Sequence, residues 1–266
     1  MVSYRRLLIR TPLVNVITRS LYASIKYFGR DFREIDSLLN TQNGPLQFAN
    51  SCRDRIQDIL VEELMQARPR FGLKVADEAV TIGADEDQFW VIDPLCGMQN
   101  FTHGVPAVAI SVGLEFQGNI IAGATYDPLH DEMFYAEKGQ GAFVNDRRLT
   151  LSQSTDLKNT IIGLSPFESS SDPKQYLVNL GRLKGRVKGL HISGCLALDC
   201  AYLAAGRYNA LYVDSDDLCD VAAGNIILRE AKAVQGGHQP ENPLDTQGFW
   251  GNHMIIKQVL GLCTAS

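Results

Sequence analysis

The chain changes character near residue 151, and this constrains its fold more than any other feature. Before that point, short apolar runs follow one another across tight turns. Residues 108–116 and 120–126 flank Gln117-Gly118-Asn119. Met133-Phe134-Tyr135 leads into Gly139-Gln140-Gly141, and Ala142-Phe143-Val144 meets Arg147 across Asn145-Asp146. That cadence predicts a meander of antiparallel hairpins. After residue 151, strands (160–164, 210–213) alternate with helices (173–183, 195–205 closed by Gly206, 221–231). At 266 residues, 45% of them hydrophobic, the chain can bury a core in two packed halves. The expectation is an α/β layered sandwich with two sheets between helix layers, split into an N-terminal α+β half, 1–150, and a C-terminal α/β half, 151–266.

Two helical stretches are expected first, separated by Asn43-Gly44-Pro45, which cannot continue a helix. Residues 1–30 hold several Arg and Lys and no acid, as an organelle-targeting peptide would. Leu13, Val14, Ile17, Leu21 and Ile25 nevertheless fall at helical spacing and run on without a cleavage-type break, so an amphipathic first helix is expected. The second stretch, about 51–66, puts Ile56, Ile59, Leu60 and Leu64 on one face. Phe89-Trp90-Val91-Ile92 predicts a strand ending at Asp93-Pro94.

A net charge of −5 argues against direct nucleic-acid binding, since neutralising phosphates needs a basic excess. The six cysteines are scattered without a C-x-x-C pair, which points to reduced thiols and a cytoplasmic location. No apolar run approaches the ~18 residues of a membrane span, so no membrane association is expected.

Four motifs carry chemistry. They are Trp90-Val91-Ile92-Asp93-Pro94-Leu95-Cys96-Gly97-Met98-Gln99-Asn100-Phe101, Gly139-Gln140-Gly141-Ala142-Phe143-Val144-Asn145, Leu203-Ala204-Ala205-Gly206-Arg207, and Cys219-Asp220-Val221-Ala222-Ala223-Gly224 followed by Arg229-Glu230-Ala231-Lys232. In order and spacing they resemble the inositol monophosphatase family, whose signatures read W-I-x-D-P-[IL]-D-G-T-x-N-F and W-D-x-A-A-G. The likeness covers nearly the whole chain and is strongest to the bacterial SuhB branch.

The resemblance implies an αβαβα sandwich, commonly homodimeric, that hydrolyses phosphate monoesters with two or three Mg²⁺ ions. Such ions polarise phosphoryl oxygens and neutralise the leaving alkoxide. Mg²⁺ needs converging oxygen donors, chiefly carboxylates. Carried over residue by residue, Asp93, the Leu95 carbonyl and Asp220 remain as metal ligands. The second Asp of the first signature is Cys96, and its Thr is Met98, which has no oxygen. The family's upstream Glu falls on Ala76 by an ungapped count, or on Asp77 beside Glu78 if the loop shifts by one. The acids of a further family element, D-x-V-T-x-x-D, are gone from 47–53, with Arg53 in place of one. No catalytic set is intact: Ala76, Cys96 and Met98 are degenerate positions, and the Mg²⁺ site is expected to be weak or absent.

Backbone amides at Gly97 and Met98 are expected to hold phosphate where the chain turns into a helix. His191, Gly194 and Cys195 fall on the family's substrate-side loop, and His103 reads as structural. Zn²⁺ on Cys96 with Asp93 and Asp220 has too few obvious ligands. The run Asp214-Ser215-Asp216-Asp217 reads as a solvated loop. Two functions follow from the resemblance. One is a pseudoenzyme acting through its surface on a transcription-elongation factor or RNA polymerase, as in antitermination. The other is residual Mg²⁺-dependent hydrolysis of inositol monophosphate or a related monoester.

Overall fold

The structure is a computed structural model, and it describes residues 10–41, 44–215, 217–237, 244 and 247–263. Five layers stack in the order helix, sheet, helix, sheet, helix, as the hairpin-then-alternation pattern predicts.

The first layer comprises α1 (Pro12–Ser24), α2 (Phe28–Leu38) and α3 (Gly44–Ala67). Thr11 caps α1 by accepting the Val14 N–H at 3.2 Å, and Pro12 fits the first turn. Val14, Ile17 and Leu21 are buried, each burial stabilising by roughly 1.5–3 kcal/mol. The amphipathic helix expected here therefore forms, although residues 1–9 lie outside the described residues. The first helical stretch is not continuous. It breaks at 25–27, and after the restart Phe28 and Phe32 pack edge-on against Phe101. Helix α3 begins at Gly44, earlier than the expected residue 51, because Pro45 is tolerated in a first turn.

The first sheet runs in chain order: β1 (Gly72–Val75), β2 (Gln88–Cys96), β3 (Ala109–Phe116), β4 (Asn119–Asp127), β5 (Glu132–Glu137), β6 (Gly141–Val144) and β7 (Arg147–Arg148). Only the β1–β2 pair is parallel. Between β2 and β3 lies the short helix α4 (Met98–Thr102). Strand β2 does not end at Asp93-Pro94. It continues to Cys96 through an irregularity, because Asp93 pairs with Ser111 but Cys96 with Ala109. One extra residue on β2 makes a bulge, the position where a proline without N–H is accommodated.

The second sheet has the order β11 (Val234–Gly236), β12 (Gly248–Gly251), β10 (Ala210–Val213), β8 (Ile161–Leu164), β9 (Gly189–His191). Helices α6 (Leu196–Ala204) and α7 (Leu218–Glu230) lie between the sheets, and α5 (Pro173–Leu183) and α8 (His253–Cys263) cover the far face. Enclosure from both sides explains why α7 is apolar nearly all round. Close approach needs glycine on the sheet: a Cβ at Gly123 would stand 2.9 Å from the Ala223 Cα.

The C-terminal end of α7 is tied to the β5–β6 hairpin by Glu230, whose carboxylate accepts the Gly139 and Gly141 N–H groups, both at 2.8 Å. Removing a charged acceptor that serves two amides should cost about 1–3 kcal/mol. Chemical denaturation of Glu230→Ala is expected to show that loss, with Glu230→Gln retaining part of it.

Candidate active site

The bulge at the end of β2 presents Asp93 and Cys96 together. The Leu95 N–H donates to Asp93 Oδ1 at 3.1 Å and fixes the carboxylate. Gly97 then reverses the chain with φ of 83°, and a Cβ there would meet the Ala107 carbonyl oxygen at 2.7 Å. From the opposite layer, α7 brings Asp220 in its first turn. Asp217 caps that helix by accepting the Cys219 N–H at 2.8 Å, and Ser215 Oγ lies 3.4 Å from Asp220 Oδ2. One donor atom each from Asp93, Cys96 and Asp220 lies within 4.8 Å of the others.

Burial pushes the Asp93 carboxyl up to about 8, with the nearby Asp220 charge adding to the effect. Asp220 is raised to about 6, by burial first and then by Asp217. Buried carboxyls this close resist a second ionisation unless a cation joins them. A cleft of about 300 Å³ opens over the cluster, and Cys96, Met98, Gly194, Glu168 and Asp220 are among its lining residues. Among the described residues, no Lys, Arg or His lines it.

Asn100 couples the cleft's two walls. Its Nδ2 donates to the Ala107 carbonyl at 2.7 Å and to the Ser193 carbonyl at 2.8 Å, which draws the loop bearing Gly194 against α4. Gly194 lines the cleft, but Cys195 does not. Cys195 is fully buried behind Cys96, with its thiol 3.6 Å from the Cys96 carbonyl oxygen, because the chain enters α6 there. His191 is also outside the cleft, on edge strand β9. Its Nδ1 pairs with the Tyr208 hydroxyl at 2.7 Å, and that hydroxyl donates to the buried Asp199 carboxylate at 3.2 Å. His103 Nδ1 lies 2.9 Å from the Gln99 carbonyl oxygen at the end of α4.

The upstream positions separate clearly. Val75 pairs with Ile92 and the Ala76 N–H donates to the Ile92 carbonyl at 3.0 Å, so Ala76 stands beside Asp93 in register. Asp77 turns away in a left-handed conformation, φ 63°, with its side chain 84% exposed and 3.4 Å from Arg53. Glu78 accepts from Gln57 Nε2 at 2.6 Å. Neither acid joins the cluster. Arg53 donates to the Ala76 carbonyl at 2.6 Å.

Two features escape sequence reasoning. Glu168 reaches the cleft from a single turn of 3₁₀ helix, which no periodicity marks. The acid run at 214–217 is not simply solvated. Asp214 is buried and accepts from the Ser171 N–H and Oγ and from Ser170 Oγ, anchoring the loop that carries Glu168, and Asp217 is the α7 cap. Asp216 lies outside the described residues.

A model described as the inositol monophosphatase family matches residues 14–247. The chain belongs to the inositol monophosphatase family. An inositol-1-monophosphatase of Rhizobium meliloti is 36% identical over 236 residues, covering 87% of this chain and 89% of that protein. The Nus factor SuhB of Escherichia coli K12 is 29% identical over 254 residues, 94% of each chain. Among solved structures, the native extragenic suppressor protein SuhB of Bartonella henselae superposes with a TM-score of 0.85 at 32% identity, covering 96% of this chain and all of the other. Among the described residues, no helix is long and apolar enough to cross a membrane.

The raised carboxyls fix a pH dependence for the cation-free protein. A group whose folded pKa exceeds its unfolded value of 3.8 holds its proton in the folded state while the unfolded chain has lost it. The stability that this proton contributes is fully present below pH ~4 and is lost as pH rises toward 8. Asp93→Asn removes that loss. In denaturation at pH 5 and pH 8 with chelator present, the variant should gain stability relative to the parent at the higher pH.

Proposed function

We propose that this chain keeps the inositol monophosphatase frame, has lost ordinary Mg²⁺-dependent turnover, and acts through its surface as a SuhB-like factor on the transcription machinery. The observation that carries this reading is the donor chemistry beside Asp93. A methyl (Ala76), a thiol (Cys96) and a thioether (Met98) occupy the positions that the family pattern gives to a Glu, an Asp and a Thr. Asp93, Asp220 and the Leu95 carbonyl are the oxygen donors left to that pattern. Mg²⁺ demands near-octahedral oxygen ligation, so this set does not fit a pair of Mg²⁺ ions. Asp77 and Glu78 do not compensate, because their carboxylates are held by Arg53 and Gln57.

Similarity to the Nus factor SuhB over 94% of both chains supports the surface role; a homodimer as the working assembly and RNA polymerase or an elongation factor as partner belong to the proposal. The cleft over Asp220 keeps room for a monoester, with amides at Gly97 and Met98 as its phosphate contact. The convergence of Asp93 with Asp220 favours a second reading, residual hydrolysis of inositol monophosphate.

Phosphate release from inositol 1-phosphate over a Mg²⁺ series separates the two. Each lost donor should cost on the order of 10²-fold. The parent is expected to match a blank, and the triple variant A76E/C96D/M98T to gain at least ~10²-fold. Parent turnover that Asp220→Asn abolishes would support the second reading instead. Binding of the purified chain to RNA polymerase or an elongation factor tests the surface role, and absence of both removes it.

A further inference from the structure

We infer that Asp93, Cys96 and Asp220 form a site for one thiophilic divalent cation of the zinc class. This inference rests on the reading that the Mg²⁺ pair has been lost, and it departs from the sequence-based expectation of too few zinc ligands because the fold brings these three donors together beside an open cleft.

The first support is geometric. Two donors project from one end of β2 and the third from the first turn of α7, with all three donor atoms within 4.8 Å. Their backbones are held by the bulge at Pro94-Leu95 and by the Asp217 cap. Zn–S bonds of ~2.3 Å and Zn–O bonds of ~2.0–2.2 Å place tetrahedral donors roughly 3.5 Å apart. Asp220 is only partly buried, which leaves its carboxylate room to turn toward the other two donors.

The second support is charge. Cys96 and Asp220 line a cleft that also holds Glu168 and, among the described residues, no Lys, Arg or His, with Asp93 buried beside them. Among the described residues lining it, nothing supplies a positive charge. The Arg53 guanidinium is turned to the Ala76 carbonyl and Asp77.

The third support is selectivity. A thiolate is a soft donor, which favours zinc-class ions over Mg²⁺. Cys96 and Asp220 line the cleft themselves, so the fourth coordination position faces it and takes water or an anion oxygen. Three protein donors with one open position is the pattern of an exchangeable zinc site rather than a closed structural one. Cys195 lies behind Cys96 with its thiol on the Cys96 carbonyl, so it backs the site without ligating. Binding converts the Cys96 S–H to a sulfur–metal bond and releases that proton to solvent.

The test uses full-length reduced protein stripped with chelator, and Co²⁺ alone as the spectroscopic probe. One equivalent of Co²⁺ is expected to bind with a thiolate-to-cobalt charge-transfer band, to be displaced by Zn²⁺, and to be unaffected by excess Mg²⁺. Cys96→Ser should abolish the band and Cys195→Ser should keep it. Cys96→Asp should bind without the band and shift preference toward Mn²⁺ and Mg²⁺ by at least ~10-fold. Circular dichroism verifies that each variant is folded. Absence of saturable Co²⁺ binding, or a band that survives Cys96→Ser, overturns the inference. If neither Co²⁺ nor Mg²⁺ binds the parent, the zinc-class site is wrong while the loss of Mg²⁺ chemistry stands. Tight Mg²⁺ binding by the parent would instead overturn that underlying reading.

Discussion

The one-residue bulge between Asp93 and Cys96 is the constraint on which the site depends. It lets a buried central strand carry two polar side chains to a point that α7 can reach from the next layer. Without it, side chains would alternate strictly between the two faces of the sheet. Glycines at 113 and 123 allow α7 to approach closely enough to deliver Asp220, and Glu230 fixes the far end of the same helix. The two sheets, the central helix and the cleft are therefore one mechanical unit.

That unit is built around unfavourable electrostatics. Buried carboxyls facing each other raise the free energy of the ionised fold, which only a bound cation or protonation relieves. In the proposal above, donor softness and number decide which cation such a frame takes. Asp93 and Asp220 stand with Cys96, Met98 and Ala76 near them in a well-packed frame. Cys96 and Ala76 are both buried, each within one of the hydrophobic clusters. A family fold does not by itself carry the family's activity.

Much of the architecture was legible in the sequence, because period-two runs across glycine turns and strand–helix alternation are physical signatures of the two sheets. The convergence of Asp93 with Asp220 was legible only through the family resemblance, since 127 residues separate them and no local pattern links them. The break between α1 and α2 was not legible. It is set by rings at Phe28, Phe32 and Phe101 that meet only in the folded chain. The same holds for Asp214, whose surroundings of Ser165, Ser170 and Ser171 turn an apparently solvated acid into a buried anchor. Cys195 reads as a loop residue beside the substrate, yet the start of α6 rotates it behind the cleft wall.

The most direct measurement is the number of ions the site holds side by side. Mn²⁺, a hard oxygen-seeking substitute for Mg²⁺, can be titrated into the chelator-stripped protein and followed by electron paramagnetic resonance. Ions sharing a bridging carboxylate about 3.5–4 Å apart couple their spins. The expected spectrum contains no coupled pair at any physiological Mn²⁺ concentration. A coupled pair that forms at micromolar Mn²⁺ and vanishes in Asp93→Asn would contradict the loss of the two-ion site.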